Sequence, residues 1–133
     1  MNKYTSWIIT VLTVILIIGG MVWYASRPGK YDTFATCIKD SGAKFYGAFW
    51  CPHCQDQKSM FGRSAKLLPY TECSIPSGQG QTKECDDLGI ESYPTWDFVA
   101  NIANGTTTRY KGTLDLSELA QRTSCALVTD GQN

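Results

Sequence analysis

The chain has 133 residues, with twelve basic and twelve acidic side chains, zero net charge and six cysteines. That length fits one ordinary domain and a short additional segment. The balanced charge and the lack of a basic stripe exclude nucleic acid as an expected partner.

The first notable segment, residues 7–24, is uncharged and apolar. As a helix it would be roughly 27 Å long, which is enough to span the hydrocarbon core of a bilayer. Trp7 at one end, and Trp23 with Tyr24 at the other, stand where the aromatic belts of membrane helices stand. We therefore expect an N-terminal tail at residues 1–6 and a transmembrane anchor at residues 7–24.

A cleaved signal peptide is the competing interpretation, because the apolar segment is N-terminal and follows Lys3. The segment is longer than the usual signal core of about 7–15 residues, and Trp23 and Tyr24 occupy positions that are small before a cleavage site. These features favour an uncleaved, single-pass anchor. Basic residues flank the segment on both sides, so the positive-inside rule does not decide its orientation.

All six cysteines lie after residue 36. Such a density of cysteine in a small domain is typical of an oxidising compartment. We therefore expect the domain to lie on the extracytoplasmic side of the cell membrane.

Residues 25–30 contain Pro28-Gly29 and are predicted to be a linker, residues 31–126 a folded domain, and residues 127–133 a flexible tail. The domain is expected to begin with a helix from Asp32 or Thr33 to Gly42, a strand at 43–49 and a helix to Leu68. A strand at 70–73, a polar loop at 74–82 and a short helix at 83–88 should follow. The last expected elements are a strand at 95–99, a turn at 101–105, an edge strand at 106–110 and a helix that ends near Thr123. Within the helix to Leu68, the residues expected in the core are Met60, Phe61, Ala65 and Leu68. Those expected on a solvated face are Gln55, Asp56, Gln57 and Lys58.

The domain is organised around the run Trp50-Cys51-Pro52-His53-Cys54. An aromatic strand leads into it and a helix leaves it. Two cysteines at i and i+3 in the first turn of a helix lie on one face and can close a small disulfide. The first sulfur also meets the unpaired N–H groups of the helix, so its thiolate should form below the free-cysteine pKa of about 8.5. Cys51 is therefore the predicted nucleophile and Cys54 the resolving thiol.

The two residues between the cysteines favour the dithiol form. Pro52 falls at the first helical position, where a missing N–H costs nothing. His53, the only histidine of the chain, can place a partial positive charge beside the thiolate. A pair whose reduced form is stabilised is a better oxidant of other thiols.

The motif, followed by Tyr93-Pro94-Thr95, resembles the thioredoxin superfamily, and Cys-Pro-His-Cys is the form typical of DsbA-type disulfide oxidases. More closely, residues 31–125 are similar to the thioredoxin-like domains that are fused to, or work with, bacterial homologues of vitamin K epoxide reductase. The segments that carry this resemblance are Phe45-Tyr46-Gly47-Ala48-Phe49 before the motif, Pro69-Tyr70-Thr71-Glu72-Cys73, Cys85, and Ser92-Tyr93-Pro94-Thr95-Trp96. It implies an α/β, thioredoxin-like fold, in which helices cover both faces of a four-stranded mixed sheet, behind one N-terminal transmembrane helix.

The resemblance also implies a substrate site of Trp50, Tyr93, Pro94 and Thr95. The peptide bond before Pro94 would be cis and would face the disulfide, which leaves the backbone of Tyr93 free to pair with an extended substrate chain. One departure concerns Phe45, which stands where thioredoxins carry a buried acidic residue. The usual proton acceptor for the resolving cysteine is thus missing, which is compatible with an oxidase and disfavours a thioredoxin-like reductase.

The four cysteines outside the motif allow three disulfide connectivities. Cys73 ends a strand and Cys85 follows a loop that can fold back, so this pair is favoured. Cys37 is left with Cys125, a weaker pairing because the first and last helices of thioredoxin-like folds tend to lie on opposite faces of the sheet. A second redox relay or a metal site is the alternative role for these four residues.

The expected function is that of a membrane-anchored protein thiol-disulfide oxidoreductase that donates disulfides and needs no cofactor or metal beyond its cysteine pair. The expected partners are cysteine-containing secreted proteins and a quinone-linked membrane oxidase, resembling either the vitamin K epoxide reductase homologues or DsbB. Three alternatives remain open: a reductase or isomerase kept reduced by a membrane electron carrier, a metal-binding module built on Cys51, His53 and Cys54, and a purely structural disulfide.

Overall fold

The computed structural model describes residues 2–101 and 105–130. Its helices are α1 (Lys3–Ala25), α2 (Asp32–Asp40), α3 (Pro52–Phe61), α4 (Lys83–Asp87) and α5 (Leu116–Thr123), and the 3₁₀ helix Gly62–Leu67 continues α3. Its strands are β1 (Lys44–Gly47), β2 (Tyr70–Glu72), β3 (Thr95–Asn101) and β4 (Thr106–Lys111).

Within the described residues, these strands form one mixed sheet in the order β2-β1-β3-β4. The helix α3 crosses over between β1 and β2, so these two strands run parallel, whereas β3 pairs antiparallel with both β1 and β4. The predicted α/β class and thioredoxin-like fold are confirmed.

Helices cover the two faces of the sheet unequally. Neighbouring residues of a strand point to opposite faces, so Phe45 and Tyr46 mark the two sides. The Phe45 ring stacks on Trp96 with centroids 4.5 Å apart, in a core completed by side chains from α2, α3 and α5. Tyr46 packs on the other face with Cys73, Cys85 and Ile90, beside the short helix α4.

The structure contains the disulfides Cys37–Cys125 and Cys73–Cys85. The expectation that the first and last helices of the domain lie on opposite faces is wrong for this chain. Since α2 and α5 share one core and touch each other, Cys37 and Cys125 lie within reach, with Cα atoms 5.9 Å apart.

The helix after the redox motif differs from the prediction in two ways. The α-helix ends at Phe61 and not at Leu68. Gly62 adopts a positive φ of 54°, and the chain continues from there as a 3₁₀ helix. The assignment of Gln57 to a solvated face is wrong, since its exposed fraction is 0%. The Gln57 side chain donates to the carbonyl of Leu114 at 2.9 Å and accepts from its N–H at 2.8 Å, so one amide satisfies both groups of a buried peptide.

Both ends of the domain extend beyond the predicted elements. Helix α1 includes residues 3–6, which the sequence assigns to a tail. Near the other end, the Asp130 carboxylate accepts hydrogen bonds from the backbone N–H and hydroxyl of Thr33, at 2.7 and 2.6 Å, at the start of α2. Residues 131–133 of the predicted tail and residues 102–104 of the predicted turn lie outside the described residues.

Of the helices in the described part of the chain, one is long and apolar enough to cross a membrane. It covers Tyr4–Ala25, its mean hydropathy is 2.3, and no part of it is buried against the rest of the chain. A signal sequence near the N-terminus can also form a helix that is long and apolar enough by this criterion. The helix is thus a candidate membrane span.

Candidate redox site

The two cysteines of the motif lie at the start of α3. The helix begins at Pro52, and Cys51 is the residue immediately before it, whose carbonyl accepts the first helical hydrogen bond, from the N–H of Gln55. Both residues are present as thiols and both are buried, with exposed fractions of 5% for Cys51 and 1% for Cys54. Cys51 is the more accessible, which suits the nucleophile, while Cys54 is enclosed.

The surroundings of Cys54 favour its neutral thiol. Burial raises its pKa to about 12, a hydrogen bond with the Cys51 thiol acts in the same direction, and a hydrogen bond from the Ala48 N–H acts against them. Gly47 makes room for this sulfur, because a Cβ at that position would come within 2.8 Å of it. The resolving thiol is therefore buried at a position that disfavours its thiolate.

A cis peptide bond joins Tyr93 and Pro94 opposite the thiols. The Cys51 sulfur lies 3.7 Å from the Tyr93 carbonyl oxygen, to which the thiol donates. The Pro94 carbonyl accepts a hydrogen bond of 2.8 Å from the N–H of Gly112, which fixes this segment from behind. The structure thus brings together the motif and the Tyr-Pro segment that the sequence assigns to one site.

Aromatic side chains form an exposed apolar surface beside Cys51. Trp50 is 48% exposed, and its ring lies 6.0 Å from that of Tyr93 in an edge-to-face arrangement. Phe49 precedes Trp50 in the chain and is 53% exposed, although the sequence does not predict it to be part of the site. Large apolar side chains that remain exposed next to a reactive group are typical of a binding surface.

Thr95 is placed differently from the other residues of the predicted substrate site. Its side chain is fully buried, and its hydroxyl donates to the Ser92 carbonyl at 2.7 Å. The Thr95 side chain therefore stabilises the turn that leads into Pro94 and presents no surface to a substrate.

The imidazole of His53 faces solvent, with 73% of its side chain exposed. Its Nδ1 atom lies 3.9 Å from the Asp56 carboxylate, one turn further along α3. Solvent screens a charge on this exposed ring, so a charged His53 would stabilise the thiolate less than a buried charge would.

A polar cluster on the other side of Cys54 was not predicted. Lys58, Tyr70 and Glu72 meet there: the Lys58 ammonium lies 3.2 Å from the centre of the Tyr70 ring, and the Tyr70 hydroxyl donates to Glu72 at 2.8 Å. The helical spacing from Cys54 to Lys58 could have indicated that the two residues share a face, since residues at i and i+4 do so. Tyr70 and Glu72 come from β2, and only the pairing of β2 with β1 places them here.

In the described residues, no group of three or more His, Cys, Asp or Glu side chains is arranged to hold a metal ion. The chemistry that this arrangement offers is that of the two thiols.

No protein-family model matches the chain. The chain is 44% identical, over 95 residues, to the thiol-disulfide oxidoreductase LTO1 of Arabidopsis thaliana. The match covers 68% of this chain but only 23% of that protein, so the chain spans about a quarter of the length of its relative. The fold is thioredoxin-like, and over these 95 residues the chain is similar to a protein that is named a thiol-disulfide oxidoreductase.

Proposed function

We propose that the chain is a membrane-anchored protein thiol-disulfide oxidoreductase whose Cys51–Cys54 disulfide is passed to secreted proteins. The observation that carries the proposal is the position of the Cys51 sulfur, at the start of α3 and 3.7 Å from the carbonyl oxygen before a cis-proline. The similarity to a named thiol-disulfide oxidoreductase supports the reaction type.

The reaction begins when a substrate thiolate attacks Cys51 of the oxidised pair. The Cys51–Cys54 bond breaks, a mixed disulfide forms between the substrate and Cys51, and Cys54 leaves as a thiolate. A second thiolate of the substrate then attacks the substrate sulfur of the mixed disulfide and releases Cys51. The substrate loses two electrons and the pair gains them, so the products are a substrate disulfide and the reduced dithiol.

The surface around Cys51 suits an extended peptide. The Tyr93 backbone, next to the cis bond, lies where a substrate strand can form main-chain hydrogen bonds. Trp50 and Phe49, the two residues before Cys51, offer exposed apolar area next to the motif. Such a surface accepts many unfolded sequences, because it relies on main-chain pairing and apolar contact.

The direction of electron flow in the proposal rests on what stabilises the reduced form. The reduced thiols are hydrogen-bonded to Ala48, to Tyr93 and to each other. A dithiol that gains such interactions is easier to form, which raises the reduction potential of the pair. Phe45, in the strand β1 that leads into the motif, is fully buried and supplies no carboxylate there.

The proposed setting is the extracytoplasmic side of the cell membrane, with an anchor at residues 7–24, a linker at 25–30 and the redox domain at 31–126. The apolar helix α1 supports the anchor. The disulfides Cys37–Cys125 and Cys73–Cys85 support an oxidising compartment. A quinone-linked membrane oxidase, resembling vitamin K epoxide reductase homologues, is proposed as the partner that restores the Cys51–Cys54 disulfide.

The direct test uses the oxidised full chain in detergent and a reduced, unfolded protein with two cysteines. We expect a stoichiometric disulfide in the substrate and a reduced Cys51–Cys54 pair, measured by mass after thiol alkylation. The Cys51→Ser variant should form no substrate disulfide. Failure of the wild-type chain to transfer its disulfide, together with rapid reduction of substrate disulfides by the reduced chain, would support the reductase alternative.

A further inference from the structure

Opening of the Cys51–Cys54 disulfide releases a thiolate at a buried position. The Cys54 side chain is 1% exposed, and burial raises its pKa to about 12, so this thiolate must acquire a proton quickly. Phe45, on the strand beneath the motif, has no proton to give. Another group must therefore exchange the proton.

Lys58 is placed to do so. It lies four residues after Cys54 in α3, and residues at this spacing share one face of a helix. Its side chain is only partly exposed, and its ammonium lies 3.2 Å from the centre of the Tyr70 ring. The same ring lies near Cys54, because a Cβ placed on Gly47 would come within 2.8 Å of both the Cys54 sulfur and the Tyr70 ring.

The Tyr70 ring lies against this ammonium, and the charge of Glu72 favours its protonated form. The Tyr70 hydroxyl donates to one carboxylate oxygen of Glu72 at 2.8 Å, and the other oxygen accepts from the N–H of Phe49 at 3.1 Å. Burial of Glu72 acts to raise its pKa, but the hydrogen bonds that it accepts from Ser74 and Tyr70 outweigh burial and lower it. Glu72 therefore remains a carboxylate, which attracts the ammonium and does not itself carry the proton.

An open depression of about 350 Å³ connects the cluster to solvent. It is lined by Lys58, Ala65, Lys66, Leu68 and Tyr70. Water in this depression can return a proton to the Lys58 amine without passing the substrate surface around Cys51.

We propose that Lys58 is the residue that exchanges the proton of Cys54, and that Tyr70 and Glu72 hold its ammonium in place. The inference rests on the proposed thiol-disulfide exchange. When the Cys51–Cys54 bond breaks, the Lys58 ammonium gives one proton to the Cys54 thiolate, which leaves a thiol and a neutral amine. The depression returns a proton from water to the amine. When Cys54 attacks a mixed disulfide, the proton moves in the opposite direction.

The pH dependence of this step involves several groups. Those that face Cys54 are Cys51, Lys58, Tyr70 and Tyr93, and Glu72 faces Lys58. Burial lowers the pKa of Lys58, against the opposing effects of Glu72 and Cys54. A lysine whose pKa lies below its usual range can give up a proton more readily than an exposed one.

The test measures how fast Cys54 releases glutathione from a mixed disulfide on Cys51, in the full chain in detergent, as pH is varied. The Lys58→Met variant should be slower at neutral pH by at least about 100-fold, the lower end of the range for loss of an acid–base group. Lys58→Arg keeps the charge but does not give up a proton at these pH values, so we expect it to remain slow. Lys66→Met, which changes a lysine of the same depression, should match the wild-type rate and pH profile.

A Lys58→Met rate equal to that of Lys66→Met would overturn the inference. So would full rescue of the rate and pH profile by Lys58→Arg, because the ammonium would then act only as a charge. Thermal unfolding of each variant identifies a folding defect, and Glu72→Gln, which weakens the hold on Lys58, gives a second measurement with an intermediate rate expected. A wild-type chain that forms no mixed disulfide would contradict the proposed function itself.

Discussion

The sulfur of Cys51 lies 3.7 Å from the carbonyl oxygen of Tyr93, across a gap of 42 residues in the chain. The start of α3, which follows β1, thus lies next to the residue before the cis-proline, which precedes β3. A substrate chain that pairs with the Tyr93 backbone would therefore deliver its own cysteine to Cys51.

Removal of the resolving thiol should trap substrates. In the Cys54→Ser variant, the Cys51 thiolate can attack a disulfide of another protein, displace one of its sulfurs as a thiolate and form a mixed disulfide. No second thiol of the pair can release this bond, so covalent complexes with disulfide-containing proteins should accumulate. Non-reducing electrophoresis measures them. The matched Cys51→Ser variant should trap almost nothing, because the remaining thiol is 1% exposed. Equal trapping by the two variants would contradict the assignment of Cys51 as the nucleophile.

The burial of Cys54 should make the reduced protein less stable at high pH. The ordinary pKa of this thiol is 9.0 and that of the folded protein is about 12, so between these values the unfolded chain loses a proton that the folded chain keeps. The free energy of unfolding should therefore fall as pH rises from about 9 to about 12. The measurement compares Cys51→Ala with the Cys51→Ala/Cys54→Ala double variant, both in denaturant. The two curves should diverge only in that interval, and parallel curves would contradict the raised pKa.

The exposed aromatic pair should matter for protein substrates and not for small thiols. Trp50→Ala and Phe49→Ala remove apolar area worth about 1–2 kcal/mol of binding each, which corresponds to roughly tenfold weaker use of an unfolded protein substrate. Exchange with glutathione should change little. Leu88→Ala, at an exposed apolar position 43% accessible, is the control. An equal loss with both kinds of substrate would point to damage of the redox pair instead.

The buried amide of Gln57 should stabilise the fold. Gln57→Leu leaves the N–H and carbonyl of Leu114 without their side-chain partners, which should lower the free energy of unfolding by about 2–4 kcal/mol. Chemical denaturation measures the change. Gln121→Leu, at an exposed position of α5, should change stability by less than about 0.5 kcal/mol. A Gln57→Leu variant as stable as the control would show that these hydrogen bonds contribute little.

Local sequence patterns were sufficient to predict the site's framework. The aromatic strand, Pro52 and the cysteine spacing predict the start of α3, and the resemblance adds the partner segment at Pro94. Gln57 was assigned to the surface, because its burial depends on a peptide group 57 residues away. Glu72 reaches the site only through the pairing of β2 with β1. Contacts set by tertiary structure are not visible in periodicity.

The same limit applies to the Cys37–Cys125 disulfide. The four cysteines outside the motif can pair in three ways. The expected placement of the first and last helices of the domain on opposite faces disfavours the Cys37–Cys125 pairing. The structure places α2 and α5 on one face because Phe34 and Leu119 fill the same core as Trp96. The face on which each helix packs depends on the packing of the whole sheet. The sequence pattern of neither helix specifies it.

The measurement that tests the central claim most directly is the equilibrium reduction potential of Cys51–Cys54 in the full chain, in detergent and against glutathione buffers, with the other two disulfides left intact. Alkylation of the free thiols, followed by mass measurement, reports the reduced fraction at each buffer ratio. A disulfide donor predicts a value of about −120 to −180 mV. A value near −270 mV, roughly that of thioredoxin, would contradict the proposed direction and make the chain a reductant.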